Sequence, residues 1–372
     1  DGFNRWSNEV IMRNKAAIAV AAVLVLALGG ASLMGRITES VDLGAQTERF
    51  YGAHQNGIEL PAQANVSVIA FDLNAGVDKA AAGRLMRVWS SDTAKLTQGL
   101  SVIGDITPGA EENPARLTAT FGFGFSFYEK LGIAEKWPVA ERAIPAFKKI
   151  DKLQPQWSDG DIVVQIAGDD PLAIFHLAEM LRRDAKPFAT VKWQQRGFTN
   201  AAGVNAGNVP RNLLGQIDGI VNPKFGSQKF AETVWRQDGG TTMVVRRIQM
   251  NLDAWDKLSS AGKTRVTGRK MSTGEKRATQ QANAHVKLAF TKMGEGIFRR
   301  GYNYDDNYLN GVRQAGLIFI SFQESLDRFV KIQSKLAEID ALNIWTTPIG
   351  SGLYYVPKGV EKSGDWLLSD VL

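Results

Sequence analysis

The stretch Asp161-Ile-Val-Val-Gln-Ile-Ala167, continued by Asp170-Pro171-Leu-Ala-Ile-Phe-His-Leu-Ala-Glu-Met180 and closed by residues 188–198, decides the fold class of this chain. Its first segment is apolar and β-branched and reads as a strand. Asp170 followed by Pro171 predicts a helix start, because an Asp side chain can accept from the first free amides and proline lacks the amide that would go unpaired there. That helix is predicted to run to Arg183, and residues 188–198 to return as a strand. Upstream, residues 65–73 predict a strand stopped by Asn74-Ala-Gly76, and residues 78–96 a helix with Ala81, Leu85 and Trp89 on one face. Residues 117–123 alternate like another strand. The order is strand, helix, strand, strand, helix, strand, the split βαβ or ferredoxin-like arrangement.

The second half repeats that order. Residues 241–250 predict a strand, 251–260 a helix, 297–302 and 317–322 strands, and 352–356 a last strand. Residues 324–339 between them predict an amphipathic helix whose apolar side carries Leu326, Phe329, Val330, Ile332 and Leu336. The expectation is an α+β protein of two tandem ferredoxin-like (βαββαβ) units, residues 65–198 and 241–372, with antiparallel sheets packed together. Residues 36–64 read as a connector and 199–240 as a linker. A linker of that length in a compact protein is usually functional.

With 372 residues, 44% of them hydrophobic, the chain can bury a large core. The formal charge of +6 is spread along the chain, with no basic stripe that would point to nucleic acid. No cysteine is present, which excludes disulfides, thiolate metal sites and thioether attachment of a haem. Imidazole ligation could come only from His54, His176 or His285. Residues 16–35 carry no charge and follow the segment 1–15, in which Arg13 and Lys15 stand just before the run. As a helix the run would span about 30 Å, the thickness of a bilayer core. Two readings compete, a signal peptide later removed and a transmembrane helix or uncleaved signal anchor; the anchor is the favoured reading, with the flanking basic residues placing the remainder of the chain outside the cytoplasm.

Within the linker, Gly215-Gln-Ile-Asp-Gly-Ile-Val-Asn-Pro223 brackets Asp218 between glycines. Taken alone, an Asp-Gly turn accounts for it. Downstream, His285 stands in Ala284-His-Val-Lys-Leu288, and Arg299 and Arg300 open Arg299-Arg-Gly-Tyr-Asn-Tyr304. Together with Phe50-Tyr-Gly-Ala-His-Gln-Asn-Gly-Ile58, Leu117-Thr-Ala-Thr-Phe-Gly-Phe-Gly124, Gly160-Asp-Ile-Val-Val-Gln-Ile-Ala167, Gly239-Gly-Thr-Thr-Met-Val-Val-Arg-Arg-Ile248 and Gly316-Leu-Ile-Phe-Ile-Ser-Phe-Gln323, these segments carry a resemblance. The chain resembles the dye-decolorizing-type haem peroxidases, in particular the exported subgroup that includes the deferrochelatase/peroxidase components of bacterial ferrous-iron uptake. Exported members carry a twin-arginine signal, for which this chain offers only Arg5-Trp6 and Arg13-Asn14-Lys15.

The resemblance implies haem b as cofactor, His285 as its axial iron ligand, Asp218 as the acid/base and Arg299 as the cation on the peroxide side. It implies that Asn222, Gly219 and Arg300 also adjoin the haem. Arg300, Arg246 and Arg247 would face haem propionates, whose carboxylates a guanidinium binds bidentately, or form a solvated or salt-bridged face. Such residues suit peroxide chemistry: a carboxylate moves a proton, and a permanently charged guanidinium offsets developing negative charge. His54 reads as structural and His176 as a packing residue. The implied partners are hydrogen peroxide, a one-electron donor (an organic reductant or ferrous iron), the membrane through residues 16–35, and a membrane-complex or iron-permease partner. Homo-oligomerisation is left open. The alternative is a non-enzymatic haem-binding or assembly subunit of a membrane complex, which would have no need of Asp218 and Arg299 together.

Overall fold

The computed structural model describes residues 42–105, 107–201, 210–290 and 295–372. The apolar run 16–35 lies outside the described residues, among which no helix is long and apolar enough to cross a membrane. Gly44–Leu372 form one compact unit.

Its first half contains β1 (Asn65–Leu73), α1 (Lys79–Leu96), β2 (Thr118–Phe123), α2 (Phe125–Lys130), β3 (Ile162–Gly168), α3 (Pro171–Ala185) and β4 (Ala189–Phe198). The helix starts are those the sequence predicts: Asp78 accepts from the Ala81 amide at 2.8 Å and Asp170 from the Leu172 amide at 2.9 Å. Strands β1 and β3 pair antiparallel from Asn65↔Gly168 to Phe71↔Ile162. Every residue of β3 is buried, as expected of a central strand covered on both faces.

The second half contains α4 (Gln228–Val234), β5 (Thr241–Met250), α5 (Leu252–Asp256), α6 (Ser260–Thr267), α7 (His285–Leu288), β6 (Phe298–Arg299), β7 (Tyr302–Leu309), β8 (Val312–Gln323), α8 (Leu326–Ile339) and β9 (Thr346–Val356). The strands order as β9-β5-β8-β7, with β6 preceding β7 along the same side of β8, and the first-half strands order as β2-β3-β1-β4. These are equivalent orders, each with the first strand of its half beside the third and fourth. The halves join edge to edge at Phe123↔Tyr355 and Phe198↔Asn303, so the antiparallel array closes on itself. Side chains from both halves, among them Val68, Val163, Val245, Ile320 and Tyr354, fill the space between the two four-stranded faces.

One expected element differs. In place of one helix over residues 251–260 the chain forms α5, which ends at Asp256, and then α6, which ends at Gly268 with φ +80°. Trp255 is the cause at α5: its ring is buried and its indole nitrogen donates to the Leu214 carbonyl at 3.0 Å, pinning that turn to the linker. The sequence of α6 adds Gly262, Thr264 and Thr267, residues that extend a helix poorly. The first half therefore has two long helices, α1 and α3, on its outer face. The second half has one, α8, among the described residues, and the space a second would fill is left for something else.

Candidate active site

That space is a cavity of about 480 Å³ on the face of the second sheet turned away from the first. Alternation along β5 builds its floor: Arg246, Ile248 and Met250 line the cavity, while Met243 and Val245 face the inter-sheet core. Helix α8 supplies one wall with Phe329, Ile332 and Leu336, and the linker and the β5–β6 connection close the rest. Asp218, His285 and Arg299, which lie in separate segments of the sequence, all line it.

His285 begins α7, a single turn packed against α8. Its Nδ1 lies 2.6 Å from Asp340 Oδ2, and the Asp340 side chain is only 3% exposed. Asp340 is itself fixed, since its Oδ1 accepts from the Leu342 amide at 2.9 Å at the start of the short helical turn after α8. A carboxylate in that position holds the imidazole with the proton on Nδ1 and leaves Nε2 as the nitrogen with a free lone pair. No local signal marks Asp340, an acid just past the end of an amphipathic helix that becomes a partner only when α7 docks.

Asp218 and Arg299 meet at 3.1 Å, Oδ1 to Nη1, each side chain being one-quarter exposed. The Asp218 carboxylate also accepts from the Gly219 amide at 2.7 Å. Gly219 has φ +82°, a backbone region that glycine enters without cost. It is absent from the cavity lining, so its contribution is the turn and not contact with a ligand. Asn222 is also absent from the lining, in contrast to the expectation. Its amide is consumed by the main chain of Arg299: Nδ2 donates to the Arg299 carbonyl at 2.7 Å, and Oδ1 accepts from the Arg299 amide at 3.1 Å.

Arg300 is likewise placed elsewhere than expected. Neighbouring residues of an extended chain point to opposite sides, and with Arg299 on the cavity Arg300 is 3% exposed, donating to the Leu60 carbonyl at 2.5 Å and to Gln63. It ties the connector to the second sheet. Arg246 and Arg247 divide in the same way. Arg247 lies between the rings of Trp157 and Tyr304, 4.1 and 4.3 Å from their centroids, and bonds Gln195 at 2.7 Å and Asp306 at 3.2 Å. Arg246 lines the cavity, is 2% exposed and pairs through Nη2 with Asp151. Burial pulls its guanidinium below the ordinary value, with Asp151 opposing. Its Nη1 is buried without a protein partner among the described residues. Arg269, unremarked in the sequence, also lines the cavity, and burial together with the nearby Arg299 charge lowers it.

The remaining histidines are structural. His54 bonds the Gly239 carbonyl at 2.7 Å and stacks on Trp235 with ring centroids 3.8 Å apart. His176 is buried against Asp105 at 2.9 Å.

These residues fit a haem. The cavity is walled mainly by aliphatic and aromatic side chains, which suit a flat apolar macrocycle, and its volume lies in the usual range for small-molecule sites. A carboxylate-backed histidine is present to ligate iron. The unpartnered Arg246 Nη1, with Arg269, provides for an acidic edge such as a propionate, since a buried donor left unpaired is costly.

Residues 55–199 match the family model Dyp-type peroxidase, N-terminal, and residues 209–361 match Dyp-type peroxidase, C-terminal. A dye-decolorizing peroxidase from Thermobifida fusca is 34% identical over 375 residues, covering 89% of this chain and 86% of its own. A deferrochelatase from Escherichia coli K12 is 28% identical over 418 residues, covering 100% of this chain and 98% of its own. Among solved structures, a DyP-type peroxidase from Streptomyces coelicolor superposes with a TM-score of 0.83 at 34% identity, covering 89% of this chain and 98% of that one. Ferric DtpA from Streptomyces lividans gives 0.82 at 35% identity, covering 88% and 97%. With both family models spanning most of the described fold and a cavity that suits haem, the chain belongs to the Dyp-type peroxidase family and is a haem peroxidase.

Proposed function

We propose that this protein binds haem b non-covalently through His285 and uses Asp218 and Arg299 to activate hydrogen peroxide. The observation that carries this reading is the shared cavity: a carboxylate-backed histidine and an Asp–Arg pair line one apolar space. When bound, the haem iron supplies the centre that delivers two electrons to peroxide and is restored by two one-electron donors. Asp218 would take a proton from one peroxide oxygen and return it to the departing one. Arg299 offsets the negative charge on that oxygen and, permanently protonated, does not compete as a base. Asp340 keeps His285 oriented, and Arg246 and Arg269 meet the propionates. Type b, with no covalent link, agrees with a chain that has no cysteine. The pairing of Asp218 with Arg299 at the cavity weighs against a mere haem carrier.

We assign the physiological role to extracytoplasmic iron or peroxide metabolism, with the domain tethered by residues 16–35. The support is the uncharged run itself and the similarity to deferrochelatases. Haem added to the purified apoprotein should give a Soret band that changes rapidly with one equivalent of hydrogen peroxide. A band that peroxide only bleaches would remove the peroxidase roles proposed for these residues. Recovery of the full chain in the soluble fraction, unaffected by removal of residues 1–41, would remove the tether. Unchanged iron uptake under limitation in a deletion strain would remove the iron role.

A further inference from the structure

We propose that Asn222 is a positioning residue that locks the Asp218 loop to the backbone of Arg299 and thereby sets the geometry of the acid/base pair; this rests on the roles proposed above for Asp218 and Arg299. Both ends of one side-chain amide bond the two main-chain groups of a single residue, at 2.7 Å to the Arg299 carbonyl and 3.1 Å from the Arg299 amide. Four positions earlier in the same loop, Asp218 holds the Arg299 side chain at 3.1 Å. One short loop therefore grips Arg299 by its backbone and by its guanidinium at once.

The grip substitutes for missing sheet. Arg299 belongs to the two-residue strand β6, which pairs with β8 only at Phe298↔Phe322 and Arg299↔Ser321. On its free side the Asn222 amide supplies the donor and acceptor that a neighbouring strand would have supplied. The loop is shaped for this: the backbone N–H of Asn222 donates to the Gly219 carbonyl at 2.9 Å, and the left-handed Gly219 folds the chain over the Asn222 side chain. Asn222 is outside the cavity lining, so it acts through Arg299 and not on a ligand. Without the grip the strand and loop can shift independently, and an offset of about 1 Å at a catalytic pair can cost up to about 100-fold in rate.

The test uses haem-loaded and haem-free protein carrying Asn222→Ala and, to keep the side-chain volume while removing the donor, Asn222→Asp. In the haem-free protein, amide exchange of the peptide containing Arg299 should accelerate in Asn222→Ala. In the loaded protein the second-order reaction with peroxide should slow by about 10- to 100-fold, while haem affinity and the saturation of donor oxidation stay unchanged. Combining Asn222→Ala with Asp218→Asn should slow the peroxide step no further than Asp218→Asn alone, because a residue acting through the pair has no effect once the pair is broken. Unchanged exchange and peroxide rate in Asn222→Ala would overturn the inference, as would full additivity with Asp218→Asn. Loss of haem binding in both Asn222 variants would overturn it too. Should Asp218→Asn and Arg299→Leu leave the peroxide step untouched, the functional assignment itself fails, a result distinguishable from failure at Asn222 alone.

Discussion

Two carboxylates in this protein each make a neighbouring side chain useful, and they do so differently. Asp340 is buried and doubly bonded, so it orients His285 without itself meeting solvent. Asp218 is one-quarter exposed and shares Arg299 with the cavity, as a group must if it is to exchange a proton with a ligand there. Replacing His285 by Ala should abolish stoichiometric haem uptake, read as loss of the Soret band on titration. Asp340→Asn should weaken haem affinity or activity by about 10–100-fold, the usual cost of losing a metal ligand's supporting partner. Asp218→Asn should slow the peroxide step by about 10²–10⁴-fold with haem still bound, measured by stopped-flow absorbance. The contrast between these variants separates binding of the cofactor from chemistry on the peroxide.

At the scale of elements, the outer helices and the β5–β8 ladder carry separable consequences. Asp184, in the last turn of α3, has its carboxyl pushed up to about 6 by burial, with Asp92 of α1 adding to the rise. A carboxyl whose folded value exceeds its unfolded value of about 3.9 binds its proton more tightly when folded. The stability from that proton is present below about pH 4 and lost as the pH rises through about 6. Asp184→Asn should therefore raise the melting temperature at pH 8 by about 1–2 °C and leave it unchanged at pH 4, the effect being modest because the carboxyl is only partly shielded from water. In the ladder, a Cβ at Gly316 would lie 1.9 Å from the Ile248 carbonyl oxygen. Gly316→Ala must separate β5 from β8, at a cost of about 3 kcal/mol or more in denaturant unfolding. Because Arg246 and Ile248 stand on β5, the same change should loosen haem.

Across the whole molecule, the cavity exists because one half of a repeated plan is incomplete. Two long helices cover the first sheet, while the equivalent crossover in the second half breaks into α5, α6 and α7 and frees the sheet face carrying Arg246, Ile248 and Leu317. Haem placed in this cavity, as proposed, would cover apolar side chains that otherwise face water, so binding and stability would be linked. At a haem concentration 100 times Kd the folded state gains about 2.7 kcal/mol. The melting temperature should rise with added haem. The amide protection gained should concentrate in residues 211–223, 269–290 and 326–345, with the α1–α3 side little changed.

How much of this was legible in the sequence depended on whether the signal was local. Strand periodicity in residues 65–73 and 161–167, the Asp-Pro start of α3 and the apolar stripe of α8 are properties of neighbouring residues, and they placed the elements and their repeated order. Asp218, His285 and Arg299 were legible through motifs, each a short run that survives without its surroundings. The sides taken by Arg246 against Arg247 and by Arg299 against Arg300 were not, because period-two alternation says that neighbours diverge but not which one meets the cavity. Asn222 and Asp340 acquired their partners only on folding, across 77 and 55 positions of the chain. The sequence by itself determined the α+β composition, the two-fold repetition and the residue types of a haem peroxidase site. Tertiary structure decided which face of the second sheet stays open and which carboxylate backs the histidine, because both depend on the docking of distant segments and not on propensity within one.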